Sequence, residues 1–584
     1  MKPNELNLGL VGSGGDGIMA AGEIIVTASA REGLNCIMLK SFGPQIRGGE
    51  SACKIRITSR RCSVQADDLD VLVVFNWNDY RRFGAELTLL PHGVVLEDGE
   101  EGDPEPERPF IGSTPHAIYR VPLTRIAREA AGTTLARNMA AVGALCGLAN
   151  LPEDAHLQSI RQLFERKGEK IVEANFKAFE MGRDFIRNNV KRKEKIRLVR
   201  PSVKAAPRVV MTGNDSIAYG AMLAGCRFFA GYPITPSSEI MEWLSVYLPK
   251  FGGEMIQTED EIAAMSMVIG ASLAGRKAMT ATSGPGLSLM SELIGLASIA
   301  EIPCVIVDVQ RAGPSTGIPT KSEQSDLMAA VYGGHGDSPR VVMAPSDVSD
   351  CLDVMREAFY VSEKYQIPVI VLSDGSIGQR KAAFAEPDIS IVRSWERQHP
   401  PADLDPAEYK RFQFTETGVS PMSIPGVDNA IYRAAGIEHN EFGAPTSDFE
   451  MHQSMNDKRY RKLRYIAEEV CFMRHYGPED APVGVLAWGS SKGAVREAVE
   501  NLLDEGFPVK AVIPQVLFPL NTEKLKKLLG PLKKLLVVEI SYSGQFLNLL
   551  RTQMDLPEGT VHYGRSGARY LGIHEIMDQV RRLF

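Results

Sequence analysis

The 584-residue sequence has no apolar run near the length of about 20 residues that spans a bilayer, and no short repeat or low-complexity tract. Its eight cysteines, Cys36, Cys53, Cys62, Cys146, Cys226, Cys304, Cys351 and Cys471, fall in no C-x-x-C spacing and cluster with no histidine. Structural zinc and ferredoxin-type clusters both require such groupings, so neither is expected on this chain. Cys304 in Ile-Pro-Cys-Val-Ile reads as a reduced core residue. Positive charge is not in excess either: 65 Lys and Arg stand against 72 Asp and Glu, a net charge of −7. That balance gives no support to bulk nucleic-acid binding. No apolar signal core follows Met1 to Leu10, which reads as a short strand, so a cytoplasmic location is expected. Ser283 and Ser288 have no evident base partner, which argues against a serine nucleophile.

What is present is ordinary soluble material, with 44% apolar and 23% charged residues in a chain long enough for roughly three or four domains. An apolar strand over Leu6–Val11 is followed by Gly12-Ser-Gly-Gly-Asp-Gly17 and a helical pattern from Ile18 to Arg31. Strands are expected at Asn35–Lys40, Ser51–Thr58 and Val71–Phe75, a surface loop at Glu97–Pro109, and helices at Arg137–Leu148 and Leu157–Asn188. These make a first domain over residues 1–190. Residues 191–208 are basic and without apolar periodicity, a linker.

A new pattern fills residues 209–380. Strands near Arg227–Ala230, Lys277–Thr282, Cys304–Val309 and Pro368–Leu372 alternate with helices near Asp215–Ala224, Glu259–Leu273, Leu287–Ala300 and Val348–Tyr360. Such alternation predicts α/β architecture with open, mostly parallel sheets. Residues 381–470 are polar and read as an extended connector, in which His439 is expected to be a solvated loop residue. A last α/β unit over 471–584 has strands Val483–Trp488, Val509–Ile513 and Lys534–Glu539.

Gly12, Gly14 and Gly17 satisfy G-x-G-x-x-G between a strand and a helix, the dinucleotide fingerprint, so an NAD(P)-dependent dehydrogenase is one reading. That fingerprint wants an acidic residue at the end of the second strand, where this sequence has Met38-Leu39-Lys40-Ser41. A second reading is an anion site on the helix N-terminus; a third is a plain tight turn.

Four further stretches occur in order. They are Gly231-Tyr-Pro-Ile-Thr-Pro-Ser-Ser238, Gln257-Thr-Glu-Asp-Glu261, Thr280-Ala-Thr-Ser-Gly-Pro-Gly286, and Gln310-Arg-Ala-Gly-Pro-Ser-Thr-Gly-Ile-Pro-Thr320 leading to Gln324-Ser-Asp326. Together they resemble the pyrimidine-binding domain of the thiamine-dependent 2-oxoacid:ferredoxin oxidoreductases. The glycine-rich start with Ser41-Phe-Gly-Pro-Gln-Ile-Arg-Gly-Gly49 resembles that family's gamma domain, fused in front. Val537-Val-Glu-Ile-Ser-Tyr-Ser-Gly-Gln545 resembles the end of its transketolase C-terminal-like domain.

The resemblance implies the alpha subunit of a coenzyme A-acylating enzyme, most like one acting on 2-oxoglutarate, with pyruvate or branched-chain and aryl 2-oxoacids as alternatives. A non-catalytic scaffold subunit is the alternative outside enzymology. The reversible reaction converts 2-oxoglutarate, coenzyme A and oxidised ferredoxin to succinyl-CoA, CO₂ and reduced ferredoxin; run backwards, it fixes CO₂. Glu261, with Glu259 as its rival, is implied as the carboxyl group serving the aminopyrimidine. Thr235 with Arg311 or Lys321, beside Ser315 and Thr316, would hold the substrate. Tyr232, Pro233, Ile234, Ser283 and Gly284 would contact thiamine diphosphate. Ser13, Gly14, Gly15, Asp16, Gln45, Arg47 and Gly48 are assigned to the coenzyme A side. No Mg²⁺ or cluster motif is seen, so a smaller beta subunit is expected to carry Mg²⁺ with the diphosphate site and a [4Fe-4S] cluster, in an (alpha-beta)₂ heterotetramer served by ferredoxin. Met265, Met267, Met279 and Met290 read as packing, and His335 as ambiguous.

Overall fold

The computed structural model describes residues 4–43, 49–100, 103–191, 196–199, 206–389 and 393–584. Its strands, in chain order, are β1 (Glu5–Ser13), β2 (Asn35–Phe42), β3 (Glu50–Thr58), β4 (Leu69–Val74), β5 (Leu89–Asp98), β6 (Ala117–Val121), β7 (Val209–Thr212), β8 (Phe228–Gly231), β9 (Glu254–Gln257) and β10 (Ala278–Thr282). There follow β11 (Cys304–Gln310), β12 (Val341–Met343), β13 (Pro368–Asp374), β14 (Lys381–Phe384), β15 (Met473–Tyr476), β16 (Val483–Ala487), β17 (Val509–Pro514), β18 (Val516–Phe518), β19 (Lys534–Glu539) and β20 (Gly559–Gly564). The chain divides into two compact units, Met1–Thr212 with Gln379–Pro387, and Gly213–Gly378 with Asp388–Phe584.

The first unit is built on one sheet in the order β6-β5-β4-β1-β3-β2-β14-β7. Strands β1, β4, β5 and β6 run parallel, whereas β1-β3-β2-β14-β7 is antiparallel throughout. Strand β4 is buried along its whole length, as a sheet covered on both faces requires. The topology argues against the dinucleotide reading: β2 follows the helix Ile18–Arg31 and runs parallel to β1, but β3 is inserted antiparallel between them, so the two strands are not the adjacent pair of the dinucleotide-binding βαβ unit. The expected helix over 157–188 is two helices, Glu153–Phe164 and Glu169–Asn189, parted at Gly168, where φ is 100°. The second of these crosses the helix Arg137–Ala149 at glycines. A Cβ on Gly182 would overlap the backbone of Ala140, and one on Gly143 the carbonyl of Phe179.

In the second unit the main sheet has the order β18-β12-β13-β11-β10-β8-β9. All its pairs are parallel except that of β18, an edge strand lent by the C-terminal segment. The third sheet, β15-β17-β16-β19-β20, is parallel except at β15. Strand β11 is wholly buried, sandwiched by helices. The compact units part at Thr212/Gly213, whereas the sequence suggests a break at 208/209: β7 pairs with β14, and both belong to the first sheet.

The segment read as a loose connector is a strap fixed by buried charge. Arg397 grips the carboxylate of Glu363 and the backbone and hydroxyl of Ser272. A 21-residue helix, Phe449–Glu469, ends the strap. From it Lys458 and Lys462 reach the buried carboxylate of Glu301, with Lys458 Nζ at 2.6 and 2.7 Å from the two oxygens. His439 is not solvated: it is 2% exposed and lies against the ring of Phe412, centroids 3.9 Å apart. Burial lowers its basicity. Six of the eight cysteines are buried and none is in a disulfide, as a reduced core predicts. Among the described residues no helix is long and apolar enough to cross a membrane.

Two outcomes follow from this packing. Gly182→Leu should destabilise the first unit by about 3 kcal/mol through overpacking at the helix crossing, read as a lowered midpoint in heat or urea denaturation. The second concerns acid. Burial raises the pKa of Glu469, but hydrogen bonds from Lys364, Tyr360 and Tyr365 outweigh it and bring it down to about 2; Arg459 and His452 do the same for Glu438, also to about 2. Both carboxylates therefore contribute stability that is complete above their unfolded value and lost as pH falls towards 2. Thermal melts of the native protein should show a midpoint that drops steeply between about pH 4.5 and 2.5, with Glu469→Gln flattening part of that slope.

Candidate active site

Parallel sheets place ligand sites beyond the carboxyl ends of their strands. In the second unit β8 ends at the Gly231–Ser238 turn, β10 at Ser283 and β11 at Arg311, while β9 leads into the helix Glu261–Leu273. Three acidic residues at that helix N-terminus are sorted by position. Glu259 is exposed, Asp260 caps the helix by accepting from the Ala263 N–H at 2.7 Å, and Glu261 is turned inward, 5% exposed. Because Asp260 takes the cap, Glu261 is spared for another partner. Its Oε1 lies 2.7 Å from where a Cβ on Gly286 would stand, and it accepts no side-chain hydrogen bond among the described residues.

Arg311 is 7% exposed and donates from Nη1 to the carbonyl of Thr235 at 2.9 Å. Burial lowers its basicity, while the nearby carboxyls of Asp326, Asp308 and Glu261 oppose that. Its Nε is buried with no partner. The side chain borders a cavity of about 620 Å³, walled also by Gly284, Pro285, Ser315, Asp326 and the Ser541–Ser543 loop of the C-terminal segment. Ser283 is fully buried with an unpartnered hydroxyl. Tyr232, Pro233 and Thr235 are exposed on the first turn, with Ile234 half-buried.

Of the two candidate cations, Arg311 lines the cavity and Lys321 does not. Ser315 lines it, with a φ of 57°, whereas Thr316 is exposed on the same turn outside the wall. Ser541, Tyr542, Ser543, Gln545 and Ser566 were not foreseen as site residues; their place depends on how the C-terminal segment folds back, and only the resemblance at Val537–Gln545 hinted at it. His335 is exposed.

The first unit holds the other glycine turn. Gly14 and Gly15 are exposed, but Asp16 occupies the turn itself: its carboxylate accepts from Ser13 N–H at 2.8 Å and pairs with Arg137. Ser13 Oγ donates to Asp79 at 2.8 Å. The loop therefore presents two carboxylates and one guanidinium, not bare N–H groups alone, to any ligand. Gln45, Arg47 and Gly48 lie outside the described residues.

The second unit has the features of a thiamine-dependent enzyme's pyrimidine-binding side: a buried carboxyl lacking a donor, beside a glycine whose missing Cβ leaves room. A carboxyl turned inward and free of protein donors can take one from a ligand, and the nitrogens of an aminopyrimidine can supply it.

Comparison with known proteins agrees. Residues 219–458 match the family described as pyruvate flavodoxin/ferredoxin oxidoreductase, thiamine diphosphate-binding, and residues 7–185 that of pyruvate ferredoxin/flavodoxin oxidoreductase. The chain is 39% identical over 347 residues to a 2-oxoglutarate synthase subunit KorA of Methanothermobacter marburgensis, covering 59% of this chain and 91% of that one. It is 33% identical to 2-oxoacid:ferredoxin oxidoreductase 2, subunit alpha, of Aeropyrum pernix, covering 78% and 74%. The solved 2-oxoglutarate:ferredoxin oxidoreductase from Magnetococcus marinus, with 2-oxoglutarate, coenzyme A and succinyl-CoA bound, superposes with a TM-score of 0.93 at 37% identity over 99% of both chains. The chain belongs to the 2-oxoacid:ferredoxin oxidoreductase family and is a thiamine-diphosphate-dependent oxidoreductase subunit.

A side chain at Gly286 would meet both Glu261 and the Thr282 hydroxyl. Gly286→Ala is expected to lower 2-oxoacid-dependent dye reduction by at least about tenfold, because misplacing a positioned group by a fraction of an ångström is costly. An unchanged rate with unchanged thermal stability would show that Glu261 tolerates displacement.

Proposed function

We propose that this chain is the large subunit of a 2-oxoglutarate:ferredoxin oxidoreductase, forming succinyl-CoA and CO₂ and passing electrons to ferredoxin, reversibly. The observation that carries the reading is that buried Glu261, after β9, and buried Arg311, after β11, stand at the carboxyl edge of one sheet close enough to interact electrostatically, the guanidinium bordering the cavity. Relatives named for 2-oxoglutarate support the substrate.

Thiamine diphosphate, when bound, supplies a nucleophilic carbon and an electron sink. Glu261 is assigned to hold the aminopyrimidine N1′ through a hydrogen bond that favours its reactive tautomer; a carboxyl sheltered from water is suited to that exchange. Arg311, fixed from behind by the Thr235 carbonyl, is assigned to receive the substrate 1-carboxylate, and Thr235 to orient it. Tyr232, Pro233, Ile234, Ser283 and Gly284 are assigned to the cofactor's surroundings. Ser315 and neighbouring wall hydroxyls would receive the distal carboxylate, with Thr316 and Lys321 behind them. The first unit's Ser13–Asp16 turn, with Arg137, is proposed for the coenzyme A side. A smaller beta subunit is proposed to bring Mg²⁺, the diphosphate site and a [4Fe-4S] cluster, in a cytoplasmic (alpha-beta)₂ assembly.

The test is viologen reduction by the chain co-purified with its partner, given thiamine diphosphate and coenzyme A, with 2-oxoglutarate, pyruvate or 2-oxoisovalerate. Reduction by 2-oxoglutarate alone is expected. A preference for another acid would overturn the substrate and keep the class; silence with all three, from a loaded complex, would favour a scaffold subunit. Glu261→Gln should lose at least about 100-fold in rate while assembling normally, and Glu259→Gln should stay within about twofold of wild type, as an exposed residue does. The reverse pattern would move the role to Glu259.

A further inference from the structure

Two aspartates behind Arg311 have no part in the scheme above. Asp308 lies in β11, a fully buried strand that is apolar from Cys304 to Val307, and is 0% exposed. Asp326 stands at the N-cap of the helix Leu327–Tyr332 yet makes no capping bond; its backbone N–H goes to Gln310 Oε1 at 3.1 Å. The two carboxyls lie close enough for each to bear on the other's titration. No protein donor reaches either oxygen of Asp308 or the Oδ2 of Asp326 among the described residues. Two bare carboxylates so placed would be strongly destabilised, whereas one that holds a proton can donate it to the other. Asp326 also walls the cavity beside Arg311.

The charged groups around the pair are few. Arg311 faces both carboxyls, and Glu323 faces Asp326; Glu261 adds a third carboxyl near Arg311. Glu323 is already spent on the N–H groups of Gly313 and Gly567. Arg311 with a singly protonated pair therefore makes a neutral unit. An arriving carboxylate adds a negative charge to it, which the pair can relieve by taking a second proton. Burial first, and then its partner's charge, raises Asp308 well above the usual carboxylate range. Burial pushes Asp326 up to about 6.

We propose that Asp308 and Asp326 are a proton-holding positioning pair for Arg311, so that binding of the substrate carboxylate is coupled to proton uptake by the pair. The inference rests on the reading of Arg311 as the carboxylate-binding residue. By linkage, a ligand that favours the protonated pair binds less tightly as pH rises and the pair loses protons. The pair acts as a unit, so its two steps belong to both residues together.

The experiment uses the complete complex with thiamine diphosphate and N-oxalylglycine, a 2-oxoglutarate analogue whose amide carbonyl resists attack. Calorimetric titration at pH 7 in buffers of different ionisation enthalpy reads protons taken up on binding. A fractional uptake is expected in wild type and none in Asp308→Asn, whose amide donates to Asp326 without titrating. In turnover, KM for 2-oxoglutarate should rise from pH 6 to 8 by up to about tenfold per unit, the limit for one proton, and the rise should flatten in the variant. Asp326→Asn, at the cavity wall, is the second variant should Asp308→Asn fail to fold. Wild-type binding without proton uptake, or uptake unchanged in both variants, overturns the pair. A complex that does not turn over 2-oxoacids at all overturns the site reading instead, so the two failures are distinct.

Discussion

The carboxylate of Glu301 is the point on which much of the second unit turns. It sits just past the helix Ser291–Ile299, in a left-handed backbone conformation with φ 52°, and is 1% exposed. Two fully buried lysines on one helix converge on it, and Arg411 donates to its backbone carbonyl at 2.7 Å. Burial would raise this carboxyl, but Lys458, Lys462 and Arg411 hold it far below its ordinary range. Burial in turn pushes Lys458 down to about 7. Burying such a cluster is expensive, and removing one partner costs about 3–5 kcal/mol, so the strap cannot leave without exposing bare charge. That constraint fixes where the strap lies, and with it Arg397, which grips Ser272 near the far end of the helix that begins at Glu261.

The site inherits its geometry from that chain of attachments. A helix anchored at Ser272 and capped by Asp260 has little freedom along its axis, so Glu261 faces Gly286 by construction. Three neighbouring acids thereby acquire separate fates. Glu259 stays in water, Asp260 satisfies the helix N–H groups, and Glu261 is left buried without a donor. Burial, helix position and steric room decide between chemically similar side chains.

Much of this was legible in the sequence where local rules govern. The helix over Ile18–Arg31 and the strand over Lys534–Glu539 have the bounds that their apolar patterns predict. The strand-end turns carrying Thr235, Ser283 and Arg311 also stand where the motifs put them. Elements set by distant partners were not legible. Strand β18 joins a sheet begun far earlier in the chain, and β7 finds β14 only after a whole unit intervenes. The strap misleads for a different reason: a segment rich in Arg, His and Lys reads as solvated, yet Arg397, Arg411, His439, Lys458 and Lys462 are all buried. Hydropathy carries no mark of a charge whose partner lies a hundred residues away.

One trace of the carboxyl pair was visible all the same. Asp308 interrupts Cys-Val-Ile-Val-Asp-Val-Gln, and a lone acid in an otherwise buried strand must find a donor, a metal or a proton. No group of His, Cys, Asp and Glu suited to a metal occurs among the described residues, and no donor reaches it. A shared proton satisfies the strand at the cost of tying its stability to a titration. Nearby Arg311 meets the complementary difficulty, a buried cation with one backbone acceptor and an idle Nε. Each group is incompletely satisfied alone. A substrate carboxylate completes the arginine, and the proton it draws in completes the pair, so the two deficits are settled by one binding event.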